Sequence, residues 1–249
     1  MIMSARFICH IRRQVRAFAL SLLAVVMPML TSCDEHEPID RNIHIGFVLC
    51  DDHSVMSLEA FRSVAHVNPV GVVFATETED HPALAVMLFE NTGVDFTNTL
   101  GLKCSTSGSV SAYDGYANSV ALFNTWKEEK YQVELPDGSY EERIDSYFSP
   151  LGQWAFDSHS FGQSDFIPSY AEARLLQQSL SVVNPVIEEL GGIPVGVSPE
   201  GGNCWYWTST EDEADMENRA WLCSMATPGF QQTPKTEFHK ARAIVALSY

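Results

Sequence analysis

Residues 205–210, with the sequence WYWTST, are the stretch that decides the fold of this chain. Aromatic and β-branched residues fill it, which is typical of a β-strand. Residues 220–225 (AWLCSM) have the same character, and an acidic loop separates the two stretches. We predict that they are neighbouring antiparallel strands. Cys204 and Cys223 then lie near each other along the sheet, which favours a disulfide between them, although a register shift of one residue would place the side chains on opposite faces.

Further strands are predicted early and late in the chain. Apolar, β-branched stretches occur at residues 43–50 (IHIGFVLC), 70–76 (VGVVFAT), 83–89 (ALAVMLF) and 242–247 (RAIVAL). The polar residues 77–82 separate the second of these from the third and contain a proline, so we expect a hairpin loop there.

A helix and a polar segment follow the early strands. Apolar residues recur at helical spacing after the turn at Asp114, which predicts a helix to about Trp126. Residues 127–143 are charged and include Pro136 in a Pro-Asp-Gly turn, so we predict a polar excursion or a short hairpin on the surface.

Two more helices are predicted from capping chemistry. Ser169 and Glu172 have the capping-box spacing, in which each side chain bonds the backbone amide of the other residue. Asn184 is suited to be the N-cap of a further helix with Pro185 in its first position, and the two glycines at 191–192 would end that helix. Strands at both ends enclose these helices, and no repeat or linker divides the chain. We therefore predict one α+β domain over residues 43–249.

The start of the chain predicts export from the cytoplasm. The first 16 residues contain four arginines and no acidic residue, and residues 17–30 are almost entirely apolar. This pattern is a secretion signal, and the apolar run is shorter than the roughly 20 residues that a membrane-spanning helix needs. We predict a signal peptide over residues 1–32 and no transmembrane helix in the mature chain.

The end of that signal indicates a lipid anchor. Leu30, Thr31, Ser32 and Cys33 resemble the lipobox of bacterial lipoproteins, an aliphatic residue and two small ones before a cysteine. The resemblance implies that Cys33 becomes the first residue, that its thiol receives a diacylglycerol and that its amine receives a further acyl chain such as palmitate. Several acyl chains anchor a protein firmly. The alternative is an ordinary secreted protein that is cut nearby.

The anchor is followed by a short tether, residues 33–42. Its acidic residues 34–37 (DEHE) resemble the surface-export signal of lipoproteins in the Bacteroidetes lineage, which implies the outer membrane and surface exposure. The same run suits a solvated linker, and an acidic residue beside the lipidated cysteine can mean inner-membrane retention in other bacteria. We expect the cell envelope, with outer-membrane placement depending on the lineage.

The charge of the mature chain limits its partners. Four of the 15 basic residues lie in the signal, which leaves 11 against 32 acidic residues and a formal net charge of −21. Binding to a nucleic-acid backbone requires a basic surface, so the charge disfavours nucleic acid as a partner, and we expect none. With 45% hydrophobic and 11% aromatic residues, the chain can bury a core.

Four motifs resemble one known family. The chain carries residues 71–74 (GVVF), residues 165–169 (DFIPS), residues 206–211 (YWTSTE) and then Ala220 and Trp221. These resemble the C-type-lectin-like domains of the formylglycine-generating-enzyme type. The specific group that they resemble is the bacterial one at the C-terminus of collagen-like adhesins and in fibrobacter-type major paralogous surface proteins, a domain of unknown function.

The resemblance covers most of residues 43–249 and implies a C-type-lectin-like fold. That fold has small antiparallel sheets, paired N- and C-terminal strands and two to three helices, and its late loops face a ligand. The chain departs from the family at residues 240–245 (KARAIV), because the family tends to have Val-Arg-Pro-Val there.

The late segment 227–240 (TPGFQQTPKTEFHK) is predicted to be a polar loop between two strands. Recognition commonly resides in loops that a rigid scaffold holds. The candidate ligand-binding residues are Gln231, Gln232, Lys235, Phe238, His239 and Lys240. The alternative is a plain connecting loop.

Metal chemistry has one candidate. The loop after residue 210 concentrates acidic residues where C-type lectins place calcium ligands, so Glu211, Asp212 and Asp215 are candidate calcium ligands, against the alternative of a solvated acidic loop. Zinc is disfavoured, because no Cys-x-x-Cys spacing occurs. Four cysteines remain in the domain, and three pairings are open if two disulfides form: Cys50, Cys104, Cys204 and Cys223.

No catalytic constellation is evident. The chain has no nucleophile elbow, P-loop or dinucleotide fingerprint, and Cys204 and Cys223 lack the close spacing of the copper-binding pair in formylglycine-generating enzymes. Single histidines such as His81 and His239 are interpreted as surface residues. We expect no enzyme activity and no cofactor other than calcium.

Three functional hypotheses follow. The first is a lipid-anchored extracytoplasmic binding module, an adhesin or receptor that recognises a protein or carbohydrate through its C-terminal loops. The second is a structural component of an envelope or pilus assembly, and the third is an enzyme of an unforeseen type.

Overall fold

The computed structural model describes residues 42–157, 165–227 and 229–247. Residues Ile43–Tyr249 form one compact unit. The predicted signal peptide, the lipobox with Cys33 and the acidic residues after it lie outside the described residues. Among the described residues, no helix combines the length and the apolar character needed to cross a membrane.

The chain alternates short strands with four α-helices in its described part. In chain order the elements are β1 (Val48–Cys50), β2 (Val55–Met56), α1 (Leu58–Ser63), β3 (Pro69–Ala75), β4 (Ala83–Met87), β5 (Asn91–Val94), α2 (Gly115–Phe123), β6 (Trp126–Glu134), β7 (Tyr140–Phe148), α3 (Pro150–Asp157), α4 (Tyr170–Glu189), a 3₁₀ turn (Glu200–Gly202), β8 (Trp205–Glu211), β9 (Arg219–Ser224), β10 (Gly229–Pro234), β11 (His239–Ala241) and β12 (Ile244–Leu247). The predicted α+β class is confirmed, with more helices than the two to three expected.

The first sheet has the strand order β12-β4-β3-β1-β2 and is antiparallel throughout. The expectation that the first and last strands pair is wrong: β12 pairs with β4, so two strands lie between β12 and β1. The predicted strand 43–50 is shorter than expected, because Gly46 adopts a φ of +91°, which interrupts an extended chain. The segment still follows the sheet, since the amide of Gly46 donates to the carbonyl of Val73 at 2.8 Å.

The second sheet has the order β10-β9-β8-β11-β5, with one parallel pair, β11 and β8. Strands β8 and β9 are antiparallel neighbours, as predicted. The segment 227–240 is not a plain loop, because it contributes β10 at one edge of this sheet and β11 near the other. Thr233 and Pro234 lie opposite Ala220 and Arg219 in the β10–β9 register.

The predicted Cys204–Cys223 disulfide is not formed, and both thiols are free and buried. The register explains why. Cys223 lies opposite Tyr206, and Cys204 precedes β8, where its carbonyl accepts from the amide of Met225 at 2.8 Å. The two cysteines are therefore diagonal neighbours, for which Cβ atoms are about 7 Å apart, whereas a disulfide needs about 4 Å. Cys50 and Cys104 are also free.

Helix α4 joins the two sheets. It begins with the predicted capping box of Ser169 and Glu172. The prediction of a second helix at Asn184 is wrong, because α4 continues through Pro185 to Glu189. The side chain of Asn184 does not cap a helix. It bonds both the amide and the carbonyl of Val195 at 2.9 Å.

The core lies on both faces of each sheet. One cluster lies between the two sheets, where α4 contributes Leu180 and Ile187 against Phe74 of β3 and Tyr206 of β8. A second cluster packs α2 and α3 against β8 and β9 around Trp207. A third covers the other face of the first sheet. Trp207 is therefore a packing residue.

The hairpin β6–β7 is longer than the short excursion predicted. Its strands pair over nine residues each, from Trp126 opposite Phe148 to Glu134 opposite Tyr140. Most of its residues are exposed, and the two strands form a separate two-stranded sheet. We call it the β6–β7 ribbon.

Candidate functional site

A groove of about 370 Å³ lies where α4 passes the end of β3. Its walls come from three separated parts of the chain, and its lining residues are Ile45, Phe74, Ala75, Thr76, Thr78, His81, Leu175, Gln178, Ser179 and Val182. Ile45 and Val182 are half exposed, with exposed fractions of 41% and 48%. The groove is open to solvent and its surface is mainly apolar, which are the features of a ligand-binding cleft.

His81 supplies a fixed polar group to this groove. Its ring is 8% exposed, which corrects its interpretation as a surface histidine. The ring packs at 4.6 Å against Tyr113, and Nδ1 lies 2.8 Å from the carbonyl of Pro82. A carbonyl can only accept, so Nδ1 carries a proton and donates to Pro82.

The other polar groups of the groove differ in how they are used inside the protein. The hydroxyl of Ser179 donates to the carbonyl of Leu176 at 3.0 Å, and that of Thr78 accepts from the amides of Asp80 and His81. Thr76 and Gln178 are exposed at the rim. An apolar floor with a few hydrogen-bonding groups at the rim suits a ligand with an apolar body and a polar edge.

The six ligand-binding candidates of the late segment do not form one surface. Gln231 and Gln232 are exposed on the edge strand β10. His239 and Lys240 are on β11, and β9 and β8 lie between the two strands. Neighbouring strands are about 4.8 Å apart, so the two groups are separated by about 14 Å.

Lys235 is a wrong prediction as a ligand-binding residue, because its side chain is fully buried. Its ammonium group forms an ion pair with Glu211 and donates to the carbonyls of Leu102 at 2.8 Å and Met216 at 2.5 Å. All three donors of the ammonium group are thereby used. Lys235 is a structural residue that ties β10 to two loops.

The predicted calcium site is also not assembled. Glu211 is fully buried beside Lys235, and its carboxylate accepts from the amide of Cys104 at 2.8 Å and from the amide and hydroxyl of Thr106 at 3.0 Å. Asp212 and Asp215 instead accept bonds within their own loop. Across residues 42–157, 165–227 and 229–247, no group of three potential ligands is placed to hold a metal ion.

Lys240 belongs to a second buried polar network. The carboxylate of Glu90 accepts from Lys240 at 2.7 Å, from the hydroxyl of Tyr206 at 2.6 Å and from Arg242 at 3.4 Å. Burial, together with the hydrogen bond to Glu90, raises the pKa of the Tyr206 hydroxyl, and burial lowers the pKa of Arg242. The Tyr206 hydroxyl also accepts from the amide of Gly196 at 2.8 Å. Lys240 therefore serves mainly to neutralise Glu90.

Phe238 is the one candidate of the late segment that presents a large apolar surface. Its ring is 72% exposed, between β10 and β11. A Cβ added to Gly93 would lie 2.1 Å from the ring, so one part of the ring rests directly on the Gly93 backbone. His239 beside it is mostly covered by an edge-on contact with Trp207 and by Glu237 at 3.1 Å.

Two acidic side chains near the start of α4 have raised pKa values. Glu172 is 3% exposed and accepts from the amide of Ser169 at 2.7 Å, and burial raises its pKa to about 7. Burial also raises the pKa of Asp114, whose charge opposes that of Glu172. Neither residue lines the groove. A Cβ at Gly115 would lie 2.1 Å from Glu172, so only glycine allows this close approach.

The groove residues were missed by sequence reasoning, since they come from positions 45, 74–81 and 175–182 and share no local spacing. No protein-family model matches the chain, and no curated protein matches it in sequence.

Proposed function

We propose that this chain is a lipid-anchored binding module of the bacterial cell envelope and that residues 43–249 recognise a protein ligand through the groove beside α4. The single observation that carries this proposal is an open, mainly apolar groove of about 370 Å³ with hydrogen-bonding groups at its rim. Its volume is near the lower end of the range for ligand sites, about 300–1,000 Å³. That size suits one bulky side chain of a partner better than an extended oligosaccharide.

The proposed fold within the α+β class is C-type-lectin-like. Its support is the family's motifs, which fall on structured positions here: residues 206–211 form most of β8, and residues 165–169 lead into the capping box of α4. The proposed ligand surface differs from the one that the resemblance implies, because it lies on α4 and the β3–β4 loop.

The groove chemistry supports a peptide as the ligand. Apolar walls favour an aliphatic or aromatic side chain, because burying apolar surface is favourable by about 25 cal/mol per Å². Nε2 of His81 is a hydrogen-bonding atom, and Gln178 at the rim can both donate and accept, as a peptide backbone requires. A peptide segment with one large apolar side chain meets both conditions.

The test is binding of the purified protein to peptide and glycan arrays. Val182→Arg introduces a charge into the groove, while Val197→Arg is a matched control, because Val197 has a nearly equal exposed fraction, 49% against 48%, and does not line the groove. We expect the wild type and Val197→Arg to bind peptides with bulky apolar side chains and Val182→Arg to lose that binding. The proposal fails if the wild type binds no peptide or if Val182→Arg binds as the wild type does.

Carbohydrate recognition is a second candidate, and the exposed ring of Phe238 favours it. Aromatic rings present apolar faces to ligands, and this ring is held on the Gly93 backbone rather than on a free tail. On the same glycan array, Phe238→Ala would abolish a carbohydrate signal that Val182→Arg leaves intact. A signal that both variants retain would exclude both surfaces.

The lipid anchor is proposed from Leu30, Thr31, Ser32 and Cys33. Radiolabelled palmitate is expected to enter the wild-type protein and not a Cys33→Ala variant, which should leave the membrane fraction. The lipid anchor is contradicted if palmitate does not enter the wild-type protein, or if the Cys33→Ala variant stays in the membrane fraction. Neither result bears on the proposed groove.

A further inference from the structure

The β6–β7 ribbon has a free backbone edge on β6. At its base, the amide of Phe148 donates to the side-chain oxygen of Asn98 at 2.9 Å, and the carbonyl of Phe148 accepts from the amide of Asn98 at 3.1 Å. The backbone groups of Phe148 therefore point away from β6. At its tip, the amide of Leu135 donates to Ser139 at 2.8 Å, across the ribbon. In an antiparallel pair, the residues of a strand alternate between bonding the partner strand and pointing their backbone groups away from it. The odd-numbered residues of β6 therefore form backbone hydrogen bonds with β7, and the backbone groups of its even-numbered residues point outward.

The two edges of the ribbon are not equivalent. Asn98 covers the base of the β7 edge, because its side chain also donates to the carbonyl of Ser146 at 2.8 Å. In the described part of the chain, no strand other than β7 pairs with β6. An unpaired strand edge is a template for pairing with another strand.

The sequence of β6 is complementary to itself in one antiparallel register. When Gln132 faces the same residue of a second copy, each Lys130 faces Glu134 of the other copy. Each Tyr131 then faces Val133 of the other copy. Opposite charges and aromatic–aliphatic pairs stabilise directly opposed strand positions.

The neighbouring registers are worse. Centring the pair on Val133 opposes no like charges within β6 but forms no pair of opposite charges, and the other neighbouring registers place like charges in opposition. Centring the pair on Lys130 or on Glu129 opposes two identical charges, and centring it on Tyr131 opposes Glu128 to Glu134 twice. The Gln132 register opposes no like charges and is the one of these that also pairs Lys130 with Glu134 twice. It also brings together backbone groups that are free to bond, because residues 130, 132 and 134 all point their amides and carbonyls away from β7.

We propose that two copies of this chain associate by pairing their β6 strands in the Gln132-centred register, which joins the two ribbons into one four-stranded antiparallel sheet. Tyr131, which is 42% exposed, and Val133 of each copy then form a continuous apolar strip across the junction. The pairing provides the additional strands that a two-stranded ribbon lacks, because such a ribbon is marginally stable by itself in water. This inference does not depend on the proposed ligand.

The first experiment is oxidative crosslinking of the full-length chain in membranes of producing cells. A Gln132→Cys variant places a thiol at the two-fold axis. A Glu142→Cys variant is a matched control, because Glu142 lies directly opposite Gln132 on β7, at the same distance from the tip. The four native cysteines of the described domain are buried and should not compete.

We expect Gln132→Cys to form a disulfide-linked dimer under mild oxidation about ten-fold faster than Glu142→Cys, as expected for a site-specific contact against random collision. Equal rates for the two variants, or no dimer from either, would overturn the proposal.

A charge exchange in the Gln132→Cys chain tests the register. Lys130→Glu alone, or Glu134→Lys alone, opposes like charges twice in the pair and should slow crosslinking about ten-fold. The double exchange Lys130→Glu with Glu134→Lys restores opposite charges and should restore the rate. Circular dichroism of each variant checks that it is folded. Failure of the double exchange to recover would overturn the Gln132-centred register.

Discussion

Lys235 and Glu211 show how a residue that looks functional in sequence can be structural. Both side chains are fully buried and form an ion pair with each other. Replacing Lys235 by Met removes the positive charge and leaves the carboxylate of Glu211 buried without its countercharge. We expect this variant to lose about 3–5 kcal/mol of its free energy of unfolding, because an uncompensated buried charge is costly. Denaturant unfolding followed by tryptophan fluorescence measures the loss.

The control is the double variant Lys235→Met with Glu211→Gln. It removes both charges, and the glutamine introduced in place of Glu211 retains an oxygen that can accept from the amide of Cys104. We expect it to be more stable than Lys235→Met alone. A double variant that is less stable than the single one would show that the charge itself is not the cause of the loss.

Glu172 should make the free energy of unfolding decrease as the pH rises. Its pKa is raised from 4.5 to about 7 by burial, so between these values the folded state holds a proton that the unfolded state releases. The stability from this group is complete below pH 4.5 and is lost as the pH rises through about 7. The difference corresponds to at most about 3 kcal/mol. Unfolding midpoints measured from about pH 5 to 8 should fall more steeply for the wild type than for Glu172→Gln.

Glutamine keeps an acceptor for the amide of Ser169, so the cap itself is preserved in that variant. A Ser169→Ala variant provides the contrast, because it removes the hydroxyl of the capping box and should lower stability by about 1 kcal/mol at every pH. If Glu172→Gln retains the full pH slope of the wild type, another group is responsible for it.

The residue scale also shows what sequence reasoning can reach. The Ser169–Glu172 cap was predictable because both partners lie within one turn of chain. Lys235 was not, because its partners are Glu211 at the end of β8 and two loop residues, Leu102 and Met216, and only the tertiary structure brings these together. A lysine in a polar segment is normally exposed, and no local signal distinguishes the buried case.

At the scale of elements, α4 illustrates two competing signals. Leu176, Leu180, Val183 and Ile187 are buried and spaced by four, three and four positions, which is the continuous apolar face of one helix. Asn184 and Pro185 gave the stronger local signal for a new start. Packing prevailed, because the apolar face spans the proline and Asn184 found its partner in the backbone of Val195.

Pro185 should therefore weaken α4 without ending it. It is exposed and cannot donate to the carbonyl of Ser181, one turn earlier. We expect Pro185→Ala to raise the free energy of unfolding by about 1–2 kcal/mol, since alanine restores the donor while losing the restraint that proline places on the unfolded chain. Thermal unfolding followed by circular dichroism measures the gain.

Glu188→Ala is the comparison for that measurement, because it places the same residue on the exposed side of the same helix without adding a backbone donor. Its effect should remain within about 0.5 kcal/mol. Equal stabilities of the two variants would mean that the helix backbone has adapted fully to the proline ring.

At the scale of the whole molecule, the order of strands was less predictable than the strands themselves. Periodicity located β3, β4, β8 and β9, because each is a short apolar run between polar residues. It gave no information on which strand lies beside β12. The groove could not be predicted either, because its walls meet only after α4 has packed across both sheets. Long-range pairing depends on register and packing, which no local pattern encodes.

The β6–β7 ribbon is the part of the molecule that the fold needs least. Its strands pair with each other, and most of its side chains are exposed. Replacing residues 128–146 by Asn-Gly leaves Lys127 and Tyr147 as the hydrogen-bonded pair that a two-residue hairpin turn requires. We expect the shortened chain to keep its thermal midpoint within a few degrees, which corresponds to about 1 kcal/mol. Sedimentation should show it as a monomer under conditions in which the full-length chain is a dimer. A chain that unfolds, or that remains dimeric, would show instead that the ribbon packs on the domain or that another surface joins the copies.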